Sequence, residues 1–364
     1  MKKTSLLLAI AILSACGGVG TPSVEDTLRQ AAESGTPLFG HQDDLMYGHT
    51  WNATKENDTD LTRSDVLSVA GAYPYILGLD LGGLEIDSPF NLDGNDFNIM
   101  REAAIKHHER GGIVTLSWHL RNPLTGGDSW DVSNTTVVES ILPGGQLHEK
   151  FIGWLDRVSD YIASLKDGNG RQIPVIWRPW HEHTGGWFWW GAANCTPEQY
   201  NDLWKMTYNH MVNGRKLEGL LWAISPNSLS ADFESWESRY PGDEYVDIVG
   251  LDCYCSTYVP QETALPMFAQ DIKRCLGSLK AFADKHGKIL ALTETGYEAL
   301  THEKWWTEVL APAIEEFPIA YLLVWRNTDE MPRGMTHFYT PWPGGPSEAD
   351  FVKWVEGGKV RLLK

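Results

Sequence analysis

Eight short apolar runs recur along the chain, at residues 37–41, 75–80, 113–119, 175–177, 220–224, 246–252, 289–294 and 320–325. They are rich in Val, Ile and Leu and lack strict alternation, as strands buried on both faces do. Helical patterns or long loops separate them. Residues 98–110 stop at Gly111-Gly112, and residues 148–166 place Phe151, Leu155, Val158 and Ile162 at helical spacing. Thr196-Pro197-Glu198 pairs a cap residue with proline at the first helical position, and further helices are predicted over 266–286 and 305–317. This alternation requires an α/β fold with a parallel sheet, either a closed (β/α)8 TIM barrel or an open doubly wound sheet. The polar residues separate the two. His119, Glu182, Asn227, Asp252, Glu294 and Arg326 all lie at C-terminal ends of apolar runs, and closure brings those ends to one mouth. We expect a single barrel domain, with the Gly-rich loop 122–146 and the tail after Asn327 walling that mouth.

One stretch breaks the regularity: Trp177-Arg178-Pro179-Trp180-His181-Glu182-His183-Thr184-Gly185-Gly186-Trp187-Phe188-Trp189-Trp190-Gly191. Five of the chain's 17 tryptophans fall in these fifteen residues. Indoles are hard to bury completely, and their flat apolar faces beside a carboxylate suit a sugar ring, with its C–H faces and hydroxyl edges. The alternative is a core strand followed by an aromatic mini-cluster. The triplet His181-Glu182-His183 invites a metal, but the zinc-protease pattern needs its second histidine at position 185, which is Gly185. No metal or organic cofactor is implied. Asp93-Gly94-Asn95-Asp96 resembles part of a calcium loop, yet it is short and lacks the downstream bidentate glutamate, so it reads as a turn.

Glu182 ends the fourth run and Glu294 the seventh, on opposing sides of a closed barrel. Cleaving a glycosidic bond needs a proton on the leaving oxygen and stabilisation of an oxocarbenium-like carbon, which two carboxyl groups flanking the bond supply. The aromatic setting of Glu182 should raise its pKa and keep it protonated as a general acid. Glu294, in the polar turn Thr293-Glu294-Thr295-Gly296, is the candidate nucleophile, with a hydroxyl such as that of Tyr254 holding it ionised. Asp80 and Asp252 read as hydrogen-bonding support.

These residues resemble those of glycoside hydrolase family 26, the β-mannanases of the large clan of retaining barrel hydrolases. The strongest parts are Trp177 to Glu182, Gly186 to Gly191, and Thr293-Glu294-Thr295-Gly296; the resemblance covers nearly all of the chain after its first residues. Many relatives in the clan carry Asn before the acid/base, whereas this family carries His, as at His181. The resemblance implies retaining hydrolysis of β-1,4-mannosidic linkages, with Glu182 as acid/base and Glu294 as nucleophile. It implies that His119, Trp187, Tyr254 and Trp325 line the central subsites, that Tyr254 bonds the nucleophile, that His181 meets the axial 2-hydroxyl of mannose, and that Arg326 contacts the next sugar. Asp252 matches an active-site aspartate of the family, and on that resemblance it is counted with the substrate-binding residues. A non-catalytic glycan-binding protein, or a hydrolase of β-glucan or β-1,3-xylan, are the alternatives, and chain-end release of mannobiose against internal cutting stays open.

A formal net charge of -18 disfavours a nucleic-acid partner and a polyanionic substrate, but leaves a neutral glycan unaffected. Residues 1–15 read as a lipoprotein signal peptide: Lys2-Lys3, an apolar run, then Leu13-Ser14-Ala15-Cys16, similar to a bacterial lipobox. Cys16 is then the lipidated residue, residues 16–30 a tether, and residues 31–364 the catalytic domain, a monomer anchored to a membrane and facing the periplasm. Export permits disulfides. Cys253 and Cys255 are poorly placed to bridge each other, but either one pairing with Cys195 or Cys275 is open, with at most one or two bridges expected.

Overall fold

In the computed structural model, which describes residues 22–228, 233–328 and 337–364, the eight apolar runs become eight strands. They are β1 (Leu38–Gln42), β2 (Ile76–Asp80), β3 (Ile113–Ser117), β4 (Val175–Arg178), β5 (Leu220–Ile224), β6 (Ile248–Cys255), β7 (Ile289–Tyr297) and β8 (Tyr321–Val324). Each pairs in parallel with the next, and β8 returns to β1, with Leu38 opposite Tyr321 and His41 opposite Val324. The sheet therefore closes, and the fold is a (β/α)8 barrel. Helices α1 (Val24–Ser34), α2 (Phe97–Glu109), α3 (His148–Ser164), α4 (Pro197–Tyr208) and α5 (Gln261–His286) pack around it. The last begins five residues ahead of its predicted start, carrying Pro266 inside its second turn. The stretch predicted as helix 305–317 opens instead with π turns over Trp305–Leu310 before the α-helix Ala311–Ile314.

Helix α1 closes the bottom of the barrel. Ser23 and Asp26 form a reciprocal capping box at its start, satisfying two backbone donors that would otherwise be orphaned. Leu28 and Ala31, both fully buried, join Leu38, Ile76, Ile113, Ile176, Ile248 and Ile289 in one apolar layer across the lumen. This revises the expected tether over 16–30: the folded domain already includes residues from Ser23 onward. Cys16 and the predicted signal peptide lie outside the described residues.

Strands β6 and β7 run longer than predicted because they keep pairing above the barrel, Cys253 opposite Thr295 and Tyr254 opposite Gly296. Strand β7 also carries one residue more than both neighbours. From Gly250/Ala291 to Asp252/Glu294 it advances three residues against two on β6, and from Leu292 to Thr295 it does so against β8. Such a bulge lets two consecutive side chains face the same side. Thr293 and Glu294 both turn inward: Thr293 meets Asp252 and Glu294 meets Arg178. Gly250 makes the room, since a Cβ there would come within 2.4 Å of the Thr293 side chain.

No disulfide forms among the described cysteines: Cys195, Cys253, Cys255 and Cys275 are thiols. Cys195 sits on the loop after β4, bonded to the Trp190 carbonyl at 3.2 Å. Cys253, Cys255 and Cys275 are buried apolar fillers of the layer between β6 and α5, and burial pushes the Cys255 thiol up to about 12. A buried protonated thiol packs as a small hydrophobe.

Candidate active site

Past Arg178 the chain makes a turn that its residues do not adopt freely. Trp180 and Glu182 have φ of 54° and 52°, the left-handed region that costs a non-glycine residue roughly 1–2 kcal/mol. Packing and hydrogen bonds hold it there. The Trp180 ring is fully buried against Trp118, Trp189 and Trp190, and its carbonyl accepts the Tyr200 hydroxyl at 2.9 Å. The Trp190 indole donates to the His181 carbonyl at 2.8 Å, and the Glu182 amide to the Ser225 carbonyl at 2.7 Å. The five-indole platform expected for sugar is thus corrected. Trp177, Trp180, Trp189 and Trp190 are completely buried and act as the packing that fixes the turn; Trp187 alone of the five is half-buried at the mouth. Its ring lies over Gly185, where a Cβ would approach to 2.4 Å.

The turn presents Glu182 between two donors. Trp187 Nε1 donates to Oε2 at 2.6 Å and Asn227 Nδ2 to Oε1 at 2.8 Å. Burial, and next the negative charge of Glu294, push the Glu182 carboxyl up to about 7. The two carboxyl groups therefore feel one another across the mouth, as the strand-end pattern required. Glu294 meets a different environment: the Arg178 guanidinium pairs with Oε1, and the Tyr254 hydroxyl donates to Oε2 at 2.7 Å.

Asp252 was counted among the sugar contacts, and here the structure differs. It is fully buried below Glu294, with Oδ1 accepting from Thr293 at 2.7 Å and Oδ2 from Arg178 at 3.0 Å and Ser225 at 2.9 Å. Its oxygens are spent on protein groups, so it supports Arg178 and does not face the substrate. Arg178 had been given no role. Burial opposes its charge, but Asp252 and Glu294 outweigh that and hold it ionised. A charged residue ending an otherwise apolar strand was the available signal.

His119 and His181 form a pair, Nε2 to Nε2 at 3.0 Å, and His119 Nδ1 lies 2.7 Å from Asp80 Oδ2. Asp80 also accepts from the Ser117 hydroxyl and the Gly82 and His119 amides. Burial alone would raise this acid, but His119 and these donors bring it down to about 2. Burial likewise opposes the charged form of His119, yet Asp80, with Glu294 and Asp93, carries its pKa above the ordinary imidazole value. His181, buried and next to that charge, is pushed well below it and is neutral. One hydrogen lies between the two Nε2 atoms, so a charged His119 donates it and His181 carries its own proton on Nδ1. That Nδ1 has no partner among the described residues and is sealed from solvent, so it is not presented to the mouth for the 2-hydroxyl contact the resemblance implies.

Trp325 follows β8 and is half-buried, its ring edge-on to His119 at 6.1 Å. Arg326 points away from the glutamates toward Asp93, with the Tyr47 hydroxyl at 3.5 Å. Asp93 therefore neutralises a guanidinium, and Asp96 caps α2 by accepting from the Asn98 amide at 2.7 Å, so the calcium-like segment is a turn and a cap. His183 packs on Tyr200, away from His181. Two mouth residues went unnamed in the sequence: Trp130, exposed on the loop after β3 and stacked on His119 at 5.4 Å, and Tyr339, beside Tyr254. Loop 122–146 and the tail were both expected to wall the mouth, but no pattern marked which aromatic would reach it. A cavity of about 570 Å3 among Pro37, Phe317 and Trp354 lies at the bottom of the barrel, away from these groups.

Asp80→Asn keeps an acceptor for His119 but removes the charge. In nitrogen NMR of the histidine rings, the His119 titration should fall by roughly one to three units, the range for losing a neighbouring opposite charge. An unchanged titration would show that Asp80 does not set the state of the pair.

Comparisons with known proteins point to one family. The family model for glycosyl hydrolase family 26 matches residues 30–292. The chain is similar to a mannan endo-1,4-beta-mannosidase of Bifidobacterium adolescentis, at 31% identity over 335 residues, 87% of this chain and 33% of the relative. It thus spans about a third of that protein's length. It is also similar to a mannan endo-1,4-beta-mannosidase of Bacillus subtilis, at 28% identity over 76% of each chain. Among solved structures, the GH26 beta-mannanase BoMan26A of Bacteroides ovatus superposes with a TM-score of 0.85 at 44% identity, covering 93% of both chains. A parallel barrel that brings Glu182 and Glu294 to one mouth, matched to the family over most of its length, places the chain in glycosyl hydrolase family 26.

Proposed function

We propose that this protein hydrolyses β-1,4-mannosidic linkages of mannan or manno-oligosaccharides by a retaining double displacement, with Glu182 as acid/base and Glu294 as nucleophile. The observation that carries the reading is the opposite treatment of two carboxyls in one mouth. Glu182 titrates at about 7 under burial and the charge of Glu294, whereas Glu294 is held by a guanidinium and a phenol. A buried carboxyl raised toward neutrality beside a second carboxylate bonded by a guanidinium and a phenol fits the acid and the nucleophile. The names of the relatives, mannan endo-1,4-beta-mannosidases, support mannan as the polymer.

In the first step Glu294 attacks the anomeric carbon and forms an ester with the sugar, while Glu182 gives its proton to the departing glycosidic oxygen. Esterification neutralises Glu294 and removes the second-largest cause of the raised Glu182 pKa. Glu182 then becomes the stronger acid, so its carboxylate is the stable form when a base is needed. Water adds to the anomeric carbon, its proton goes to Glu182, and Glu294 leaves as a carboxylate with its charge again raising the Glu182 pKa. Below the sugar, Arg178 stays charged through both steps.

Glu182→Ala should cut turnover of mannan by roughly 10²–10⁴-fold but spare the first step for an aryl mannobioside whose leaving group needs no proton. Equal loss on both substrates would remove Glu182 as the acid. Glu294→Ala should abolish that first step on either substrate.

The indole of Trp187 stabilises the Glu182 anion, so Trp187→Phe should raise the Glu182 pKa. The alkaline limb of kcat/KM, expected near pH 7 in the parent, should move to higher pH; a limb that stays or moves down would assign it to another group.

We also propose that Cys16 is lipidated and that the exported monomer faces the periplasm; the support is Lys2-Lys3, the apolar run and Leu13-Ser14-Ala15-Cys16. Cys16→Ala should lose incorporation of labelled palmitate and leave the membrane fraction, and a variant that keeps the label would rule out this anchor.

A further inference from the structure

The mouth is one end of the barrel; the other end is closed by α1 and is chemically different. Val24, the first residue of α1, packs against the apolar layer that Leu28 and Ala31 join at the strand starts. Arg29 donates to the Gly287 carbonyl, just ahead of β7, at 3.3 Å. The chain therefore enters the fold at this closed end. Seven residues, Gly17 to Ser23, separate Cys16 from Val24, and a chain of that length reaches at most about 30 Å. A domain of this size has a radius of gyration of about 20 Å and spans roughly 50 Å. An anchor at Cys16 cannot bring the mouth against a membrane; the closed end and the flank next to it are in reach.

Charge separates the two ends. The chain carries -18 overall, and the mouth holds much of it. The loops after β1, β2 and β3, residues 43–64, 81–96 and 118–147, contain twelve Asp and Glu against three Lys and Arg. The segments leading into the strands are residues 71–75, 110–112, 165–174, 215–219, 240–247, 287–288 and 315–320. With the C-terminal stretch 357–364 they contain nine Lys and Arg against seven Asp and Glu. That stretch belongs to the closed end, since Arg361 bridges to Leu38 and Leu363 to Tyr73. An anionic leaflet attracts Lys and Arg within a Debye length, about 8 Å at physiological salt, and repels acidic loops.

The closed end also carries an apolar recess. It is the cavity of about 570 Å3, set among the turns before Phe317 and the C-terminal helix Glu348–Glu356. Pro37, Ile314, Phe317, Ile319 and Trp354 form its walls, and exposed Lys353 and Lys359 stand at its rim. Glu315 and Glu316 share that rim, but Glu316 already faces Lys273 at 3.3 Å. Apolar walls ringed by lysines suit the boundary between hydrocarbon and headgroup, where lysine stems lie along apolar surface and their ammonium groups reach phosphates. Gly35 and Pro37 line the recess directly after α1. One helix of 11 residues, about 16 Å long, thus joins the recess to the point where the chain enters.

Building on the proposed lipidation of Cys16, we infer that the closed end of the barrel is the face this protein lays on an anionic lipid surface, with the recess over the headgroup boundary and the mouth opening away from the membrane. The occupant is lipid because the tether keeps this face within about 30 Å of the leaflet for as long as the anchor stays inserted, which makes docking an intramolecular event. Glu182 and Glu294 then face the aqueous compartment, where a soluble glycan reaches them without passing the anchor.

The test is a lysine footprint of the chain from Cys16 onward, with the Cys16 thiol coupled to a maleimide phospholipid in vesicles containing phosphatidylglycerol. The other four cysteines are buried, so Cys16 is the thiol that reacts. The same chain capped with N-ethylmaleimide, without vesicles, is the reference. Acylation by a water-soluble ester is read at Lys216, Lys359 and Lys364 on the closed end, and at Lys55 and Lys304 on loops beside the mouth, all exposed. A face docked roughly nine-tenths of the time meets the reagent about tenfold less often, so the first three should react about tenfold more slowly on vesicles and the last two at the reference rate. Equal slowing of both sets, slowing beside the mouth alone, or no slowing at either would overturn the inference. Reversing the two rim charges, Lys353→Glu with Lys359→Glu, should leave Lys216 and Lys364 slowed by less than about threefold, since the attraction to the leaflet is lost. Unchanged rates at Lys55 and Lys304 would show that this variant is folded, and undiminished slowing in it would overturn the docking by charge. Because the lipid is attached chemically, the result stands apart from whether the cell lipidates Cys16, which the palmitate label reads.

Discussion

A single buried cation organises the mouth of this barrel. Arg178 ends β4 inside the lumen and reaches Asp252 on β6, Ser225 past β5 and Glu294 on β7. A guanidinium removed from water is tolerable only with its charge and donors matched, and removing one partner of such a buried pair typically costs about 3–5 kcal/mol. The arrangement therefore fixes three strand ends relative to one another. It also decides the electrostatics above it: Glu294 sits against a permanent positive charge, while Glu182 has two neutral donors. Burial and the charge of its neighbour raise Glu182.

Aiming the two glutamates takes two departures from regular geometry, and they are of different kinds. Glu294 is turned inward by the extra residue in β7, which puts Thr293 and Glu294 on the same side and lets the first brace Asp252 while the second faces the mouth. Glu182 is aimed by a left-handed turn at Trp180 and Glu182. The turn persists because buried indoles and three hydrogen bonds to its backbone leave it no cheaper alternative. Strain stored at a reacting group and held by surrounding packing is the usual pattern at functional sites.

The histidines add a second layer of charge control. Asp80 anchors His119, and His119 determines which nitrogen of His181 bears the proton. Sequence proximity links His181 to Glu182, but its hydrogen-bonding state is set from β2, through a carboxylate that never faces the mouth. The loop after β2 also carries Asp93 to Arg326 and Glu85 to the Arg121 amide on the loop after β3.

The barrel was legible in the chain because burial on both faces forces continuous apolar runs, and because Glu182 and Glu294 stand at strand ends where no core residue would be charged. Sequence alone determined the fold class and the strand count, and it singled out Glu182 and Glu294. It did not determine what surrounds them. The tryptophans around Glu182 read as a sugar platform, because a linear pattern shows that indoles are dense but not which way they point; in the folded chain four of the five are sealed inside to hold the turn. The resemblance put Asp252 among the sugar contacts, but a strand-end carboxylate can point up or down, and the bulge at Thr293 with the cation at Arg178 drew it below the floor. The cysteines left pairing open, since only the packing between β6 and α5 shows them to be fillers. Each of these depends on contacts between residues far apart in the chain, and such contacts exist only once the barrel closes.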